Sequence, residues 1–339
     1  MTASRVAIAI ALALLIAPAA GRAATPGGTA GVGVARTQAE AGISRKGFTE
    51  ASRRTAVRYW TPRRAVEAIR NGNPTGPTAT GFDSGLEGPS GWAGPRTVRP
   101  AHDPGAGHRS DAGASHGPAD PEVAGNRANG RLFLRFRGRK ASCSATLVNT
   151  RRLNLAITAG HCLFGLEFGG WAGHVAFVPA YDHGKRPFGT YLAKRLLANT
   201  AGLLGDPNLD LGAIILGKNS RGRPGHVAGA SGWATGISRW RRFSIFGYPA
   251  GAFKAAELRR CVSRSYRANR WSYRLPGPPA VGANCDMARG SSGGGWFTSD
   301  GAEADYLNGL TSYSVRPARN RIYSPYFGRA ALRLIRQAR

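Results

Sequence analysis

From about Asn126 onward, hydrophobic positions fall into short runs at strand period, separated by Gly, Pro and Asn. Arg131-Leu132-Phe133-Leu134-Arg135-Phe136-Arg137 reads as a strand whose charges alternate near its end, and Ser142 to Val148 reads as a second. Arg151-Arg152 turns the chain into the run Leu153-Asn154-Leu155-Ala156-Ile157-Thr158-Ala159-Gly160-His161-Cys162. Similar segments continue to about residue 315, a pattern of sandwich or barrel architecture and hence an all-β fold. At the end, Ser324 is placed to cap a helix opened by Pro325, with Phe327, Ala331, Leu334 and Ile335 on one face. That predicts a C-terminal amphipathic helix packed on the last barrel.

Residues from about 25 to 125 have few apolar positions at either period and are dense in Gly, Pro, Ala, Ser and Arg. Such a segment buries little and is expected to be mostly disordered. One island differs. Thr61 can cap a helix starting at Pro62, with Ala65, Val66 and Ile69 on one face and Asn71-Gly72 as the stop, a candidate docking element of a pro-region. His102, His108 and His116 lie in the Gly/Pro-rich tract and read as solvated linker residues.

Composition adds a compartment. A short charged start, the apolar run Val6 to Ile16 and the small residues Ala17-Pro18-Ala19 form a secretory signal, cut near Ala19 or Ala23. No later stretch is long and apolar enough to span a bilayer, so a soluble, exported product is expected. Export makes the four cysteines disulfide candidates. Cys143 with Cys162 and Cys261 with Cys285 are the expected pairs, since each closes a short loop worth about 3 kcal/mol in unfolded-state entropy. The net charge of +29 is almost wholly arginine, with lysine confined to Lys46, Lys140, Lys185, Lys194, Lys218 and Lys254. It would attract polyanions or an anionic cell wall, or simply keep the surface solvated; no specific nucleic-acid module is present. No spaced Cys/His set or Asp-rich loop points to a metal, and no cofactor is implied.

The candidate chemistry centres on Cys285-Asp286-Met287-Ala288-Arg289-Gly290-Ser291-Ser292-Gly293-Gly294-Gly295-Trp296-Phe297. A glycine-dense turn can expose a hydroxyl and aim backbone N–H groups at one point, although the same composition describes a flexible linker. A nucleophile at Ser292 needs a base, and His161, behind Ala159-Gly160, is placed to supply one.

Thr158-Ala159-Gly160-His161-Cys162 followed by Gly290-Ser291-Ser292-Gly293-Gly294 resembles the chymotrypsin-like serine peptidases. Cys143-Ser144-Ala145-Thr146, Pro179-Ala180-Tyr181-Asp182-His183-Gly184 and Cys285-Asp286-Met287 resemble their bacterial secreted glutamyl-endopeptidase (V8-like) branch. Tyr59-Trp60-Thr61-Pro62 is similar to segments in pro-regions of that branch. The resemblance covers residues 126–339. It implies two six-stranded antiparallel β-barrels, 126–222 carrying His161 and Asp210 and 223–339 carrying Ser292, joined near Ser220 to Gly225. Residues 1–23 and 24–125 then form the signal peptide and pro-region. It also implies an Asp at the head of an apolar strand. Asp206 competes, but Asp210 leads directly into Leu211-Gly212-Ala213-Ile214-Ile215-Leu216 and fits that place.

The implied activity is that of a monomeric serine endopeptidase acting on polypeptides through an acyl-enzyme on Ser292, with His161 as general base, Asp210 as its orienting partner, and Gly290 and Ser292 N–H groups as oxyanion donors. Asp286, six residues before Ser292, stands where a carboxylate would select a basic side chain, or is structural. Ser312, Tyr313 and Ser314 resemble a substrate-binding strand. Three positions depart from the pattern: Ser291 in place of an acidic residue, Gly295 in place of Pro, and no cysteine at 288. His174, His183 and His226 read as surface or turn residues. Two other functions fit the same residues, a catalytically silent cationic protein binding anionic surfaces and a serine esterase or amidase.

Overall fold

The computed structural model describes residues 42–74, 76, 94–99, 116–120, 126–250, 256–275, 277–287, 289–299, 305–315 and 320–338. The chain begins with β1 (Ile43–Gly47), α1 (Glu50–Tyr59), α2 (Pro62–Asn71), β2 (Arg96–Val98) and β3 (His116–Pro118). Then follow β4 (Asn129–Arg135), β5 (Lys140–Val148), β6 (Leu155–Thr158), α3 (Gly160–Leu163), β7 (Phe164–Gly165), β8 (Gly170–Trp171), β9 (Gly173–Pro179), β10 (Tyr191–Asn199), α4 (Thr200–Leu203) and β11 (Gly212–Leu216). The helical turn α5 (Pro224–Val227) falls within the stretch joining the two sheets and precedes β12 (Gly232–Thr235), β13 (Arg242–Gly247), β14 (Arg259–Arg267), α6 (Arg270–Tyr273) and β15 (Val281–Asn284). Last come β16 (Gly295–Ser299), β17 (Asp305–Leu310), β18 (Tyr313–Ser314), β19 (Arg321–Ser324) and α7 (Arg329–Gln337).

Strands β4, β5, β6, β11, β10 and β9 pair in that order, and β9 returns to β4, closing a six-stranded antiparallel barrel. The alternating apolar residues of β4 and β5 point into its core, where Leu132, Leu147, Ala156, Phe177 and Ile214 are buried. The second sheet is larger than the six strands expected. Its path runs β18-β19-β15-β14-β13-β16-β17-β12-β2, with β3 added to β14. Two of the extra strands have a physical cause: β2 and β3 come from the segment ahead of residue 126 and cover backbone edges on β12 and β14. Past β17 the chain is brought beside β19, where the Leu310 N–H donates to Ser324 Oγ at 2.8 Å and the Ser312 N–H to the Tyr323 carbonyl at 2.9 Å.

Part of the segment expected to be mostly disordered is folded. Strand β1 pairs with Arg195 to Asn199 of β10, on the edge that β9 covers only at Tyr191 and Leu192. Thr49 caps α1, and Thr61 caps α2, accepting from the Arg64 N–H, with Pro62 at the first position and Gly72 at the C-cap. Trp60, Ala65, Ala68 and Ile69 are buried in the same core as the barrel. Helix α2 is the island read from Thr61 to Gly72, whereas composition concealed β1 and α1 because their apolar content is small and their stability comes from a partner surface far away in sequence.

The C-terminal helix also differs from expectation in its start. It begins at Arg329 with Gly328 at the N-cap, and Ser324 instead ends β19, its hydroxyl bonded to the Leu310 N–H and the Pro325 carbonyl. Ala331, Leu334 and Ile335 face the core as read, joined by Phe327 from the preceding turn. The disulfides pair as expected, Cys143 with Cys162 and Cys261 with Cys285. The first ties β5 to α3. The second ties β14 to the segment that leads towards Ser292. Among the described residues no helix is long and apolar enough to cross a membrane. The signal sequence at 1–23 lies outside the described residues, as do His102 and His108.

Candidate active site

His161 stands in the first turn of α3, just past the end of β6, and is 5% exposed. Asp210 ends a short 3₁₀ turn, Pro207–Leu209, two residues before β11, and is fully buried. Because β6 and β11 are paired, with Thr158 opposite Gly212, the loops at their ends are neighbours. Asp210 Oδ2 lies 2.7 Å from His161 Nδ1, and Oδ1 accepts the His161 backbone N–H at 2.8 Å. A Cβ at position 160 would lie 3.0 Å from Asp210 Oδ1, so Gly160 leaves the carboxylate room to reach the backbone. Burial pushes the Asp210 carboxyl up, but the nearby imidazole charge and hydrogen bonds from the His161 ring, the Ser312 hydroxyl and the His161 backbone outweigh it. The carboxyl is held below its usual range.

Ser292 lies in the turn between β15 and β16 and is 6% exposed. Gly290 and Gly293 both have positive φ, +93° and +82°. At position 293 a side chain is excluded twice over, since a Cβ would lie 2.0 Å from Thr158 Oγ1 and 2.3 Å from the Ser144 carbonyl oxygen. The turn is pinned to the first barrel through Ser144: its N–H donates to the Ser292 carbonyl at 2.8 Å, its hydroxyl donates to the Gly290 carbonyl at 2.9 Å, and it accepts the Tyr248 N–H at 3.0 Å. Thr158 Oγ1 in turn donates to the Ser144 carbonyl at 2.8 Å. Cys162 Sγ bridges the two halves, 3.9 Å from His161 Nε2 and 3.7 Å from the Ser292 carbonyl oxygen. The three residues singled out from the sequence, His161, Asp210 and Ser292, therefore converge where the two sheets meet.

The remaining predicted positions divide. Ser312, read as part of a substrate-binding strand, donates its hydroxyl to Asp210 Oδ2 at 2.5 Å and extends the Asp210–His161 pair by one residue. Tyr313 is buried in an aromatic cluster, stacked on Tyr323 at 4.9 Å and edge-on to Trp271 at 5.4 Å. Ser314 and Asp286 are exposed. Ser291 is buried with its hydroxyl on the Met287 carbonyl. Gly295 opens β16 opposite Leu310, where a Cβ would lie 2.7 Å from both Leu307 Cδ1 and Thr146 Oγ1; the glycine admits this close packing. His183 is a surface residue paired with Asp182, and His174 lies against the Tyr59 ring. Cys143, His161 and Cys162 are close enough together to suggest metal ligands, but both sulfurs are consumed by the disulfide.

Sequence reading missed Ser144, Thr158 and Arg131 as supports of the site. Arg131 is fully buried beneath the Gly290 turn, donating to the Tyr248 carbonyl at 2.7 Å and to Ser142 Oγ at 2.5 Å, and burial lowers its guanidinium to about 10. Its place at the start of an alternating strand was the only signal, and that signal said no more than "strand".

Asp206, the competing carboxylate, has a separate role. It caps the Pro207 turn by accepting the Asn208 N–H at 2.8 Å, while its other oxygen is buried with no partner among the described residues. Burial, opposed by that hydrogen bond and reinforced by Asp210, pushes its carboxyl up to about 6. A raised folded-state value means that stability is fully present below the unfolded value near 3.8 and is lost as pH rises through about 6. Asp206→Asn keeps the capping oxygen and removes the titration. It is expected to flatten this dependence and to exceed the parent in unfolding free energy at pH 8 by up to about 3 kcal/mol. Parallel denaturant melts at pH 4 and pH 8 check this; an equal difference between the proteins at both pH values would refute it.

No protein-family model and no curated protein matches the sequence. Solved structures do. The crystal structure of protease Anisep from Arthrobacter nicotinovorans superposes with a TM-score of 0.59 at 28% identity, covering 66% of this chain and 98% of that one. The thermostable serine protease AL20 from an extremophilic microorganism gives 0.56 at 29% identity, covering 62% and 96%. A Glu endopeptidase, at 0.50 and 16% identity over 66% and 96%, shares the fold. The structural neighbours are chymotrypsin-like serine proteases, and the likeness supports a peptidase function.

Proposed function

We propose that the chain is a secreted serine endopeptidase that cleaves polypeptides through an acyl-enzyme on Ser292. The observation that carries this reading is the buried hydrogen-bonded series Ser312–Asp210–His161, which ends beside the Gly290 to Gly293 turn. Asp210 accepts the Nδ1 proton of His161, so Nε2 is left as the basic nitrogen. On attack by Ser292 Oγ at the substrate carbonyl carbon, the hydroxyl proton passes to Nε2 and the carbonyl electrons move to oxygen. The N–H groups of Gly290 and Ser292 receive that oxyanion. His161 then gives its proton to the leaving amine, and water repeats the sequence to release the acid. Export would bring the protein to an oxidising compartment suited to its two disulfides. The arginine-rich surface would hold the monomer near anionic material.

A fluorophosphonate probe tests this reading. The full chain, or the form it matures into, should label at Ser292, and His161→Ala should abolish labelling. Absence of labelling in every oxidised form would favour a silent binding protein. Cleavage of small esters but of no peptide would favour an esterase.

A further inference from the structure

The oxyanion donor of the proposed site already has a ligand from its own chain. The Gly290 N–H donates to Asn73 Oδ1 at 2.9 Å. Three residues on, Gly76 lies over the reactive edge of the histidine: a Cβ there would lie 3.4 Å from His161 Cε1, 3.5 Å from Nε2 and 3.4 Å from the Ser312 carbonyl oxygen. Gly76 thus lies between the base and the strand read as substrate-binding.

Its placement is anchored. Gly72 ends α2 with φ of +68°, bonding back to Ala68 and Ile69, and its carbonyl accepts the Ser142 N–H at 2.9 Å. Ser142 Oγ donates to the Ala68 carbonyl at 3.1 Å, Asn71 Nδ2 donates to the Lys140 carbonyl at 2.8 Å, and Lys140 pairs with Glu67 at 2.7 Å. Helix α2 is thereby fixed along β5. The Asn73 carboxamide is aimed as well: Nδ2 donates to the Pro74 carbonyl at 2.8 Å, which turns Oδ1 towards Gly290, and Pro74 is buried.

We infer that the catalytic cleft is a binding site for the chain's own residues Asn73 and Gly76, with the Asn73 carboxamide occupying the oxyanion position and holding the uncleaved chain inactive. This rests on the peptidase reading above. An amide oxygen is the right ligand chemically, since it is the ground-state form of the group that becomes the oxyanion, and it offers no scissile bond to Ser292 because it belongs to a side chain. The covalent tether keeps its effective concentration high.

The test uses the full chain with Asn73→Ala and Asn73→Asp. In Asn73→Ala, hydrogen exchange at the Gly290 amide should quicken about five- to tenfold, the loss expected for one buried hydrogen bond, and fluorophosphonate labelling of Ser292 should rise by a similar factor. Exchange at the Ser142 amide, bonded to Gly72, should stay unchanged and reports that α2 remains docked. Asn73→Asp keeps an acceptor and should restore both values to the parent's. Unchanged Gly290 exchange in Asn73→Ala overturns the proposal, as does faster exchange with no change in labelling. Faster exchange with no labelling of any form would leave the contact intact but remove the peptidase reading on which inhibition rests, so the two failures are told apart.

Discussion

Ser292→Ala is expected to lower turnover of a casein or peptide substrate about 10⁶-fold, with binding little changed. The size follows from the way the groups act together. In the proposed mechanism, removing Oγ removes the acyl-enzyme, and His161, however well oriented, has no proton to receive from a nucleophile. What remains is the oxyanion donors and substrate positioning, worth about 10³- to 10⁴-fold over water. The substitution is structurally mild: the Ser292 carbonyl keeps the Ser144 N–H and the glycines on either side keep the turn. Loss of activity with unchanged thermal stability would therefore locate the defect in the chemistry. A Ser292→Ala protein that hydrolysed casein as fast as the parent would remove Ser292 from the mechanism.

Asp210→Asn is expected to reduce kcat/KM about 10⁴-fold. The carboxylate accepts on both oxygens, from the His161 backbone N–H on Oδ1 and from His161 Nδ1 and Ser312 Oγ on Oδ2. If the asparagine oxygen stays on the backbone N–H, its NH₂ group faces Nδ1 and can only donate. That forces the imidazole proton to Nε2, the nitrogen that must take the serine proton. Ser312 loses its acceptor in the same step, leaving a buried hydroxyl to find another. The parent's carboxyl is held below its usual range, so its contribution to stability is present above the unfolded-state value and is lost as pH falls through the lower folded one. The variant should lack this acid-side loss. A kcat/KM series and acid unfolding curves for both proteins measure the two effects, and an unaltered kcat/KM would mean that Asp210 does not orient the base.

The local signals in the sequence were those in which neighbours along the chain define the structure. Thr61-Pro62 and Gly72 bracket α2 because capping is satisfied within one helical turn. The apolar stretch through Ile157 ends where Ala159-Gly160 allows a change of direction, which places His161. Asp210 ahead of β11 and Ser292 among glycines became legible only with His161, through the resemblance of the ordered motifs to the chymotrypsin-like serine peptidases, since a glycine-dense turn alone also fits a flexible linker. Each cysteine pair spans a single short loop, and each closes as read.

Other features depended on surfaces that no local pattern encodes. Strand β1 and helix α1 carry too little apolar content to announce themselves; the first exists because β10 has an open edge at Arg195 to Asn199. Ser324 has the composition of a helix cap, yet the Leu310 N–H competes successfully for its hydroxyl and the helix starts later. Ser312 reads from the sequence only as part of a substrate-binding strand, and its hydroxyl bond to Asp210 shows only once the fold brings the two together.

By itself, the sequence determined the all-β character of the chain after residue 126, its disulfide pairs and the identities of the three candidate catalytic residues. The first two rest on strand period and loop length, and the three residues on the resemblance of their ordered motifs to the chymotrypsin-like serine peptidases. Only the tertiary structure decided that His161 and Asp210 share a hydrogen bond, that Ser144 ties the Ser292 turn to the first barrel, and that the Asn73 carboxamide accepts the Gly290 N–H. Those contacts join residues dozens to hundreds of positions apart, and they form only where barrel closure and sheet packing bring the separate loops to one point.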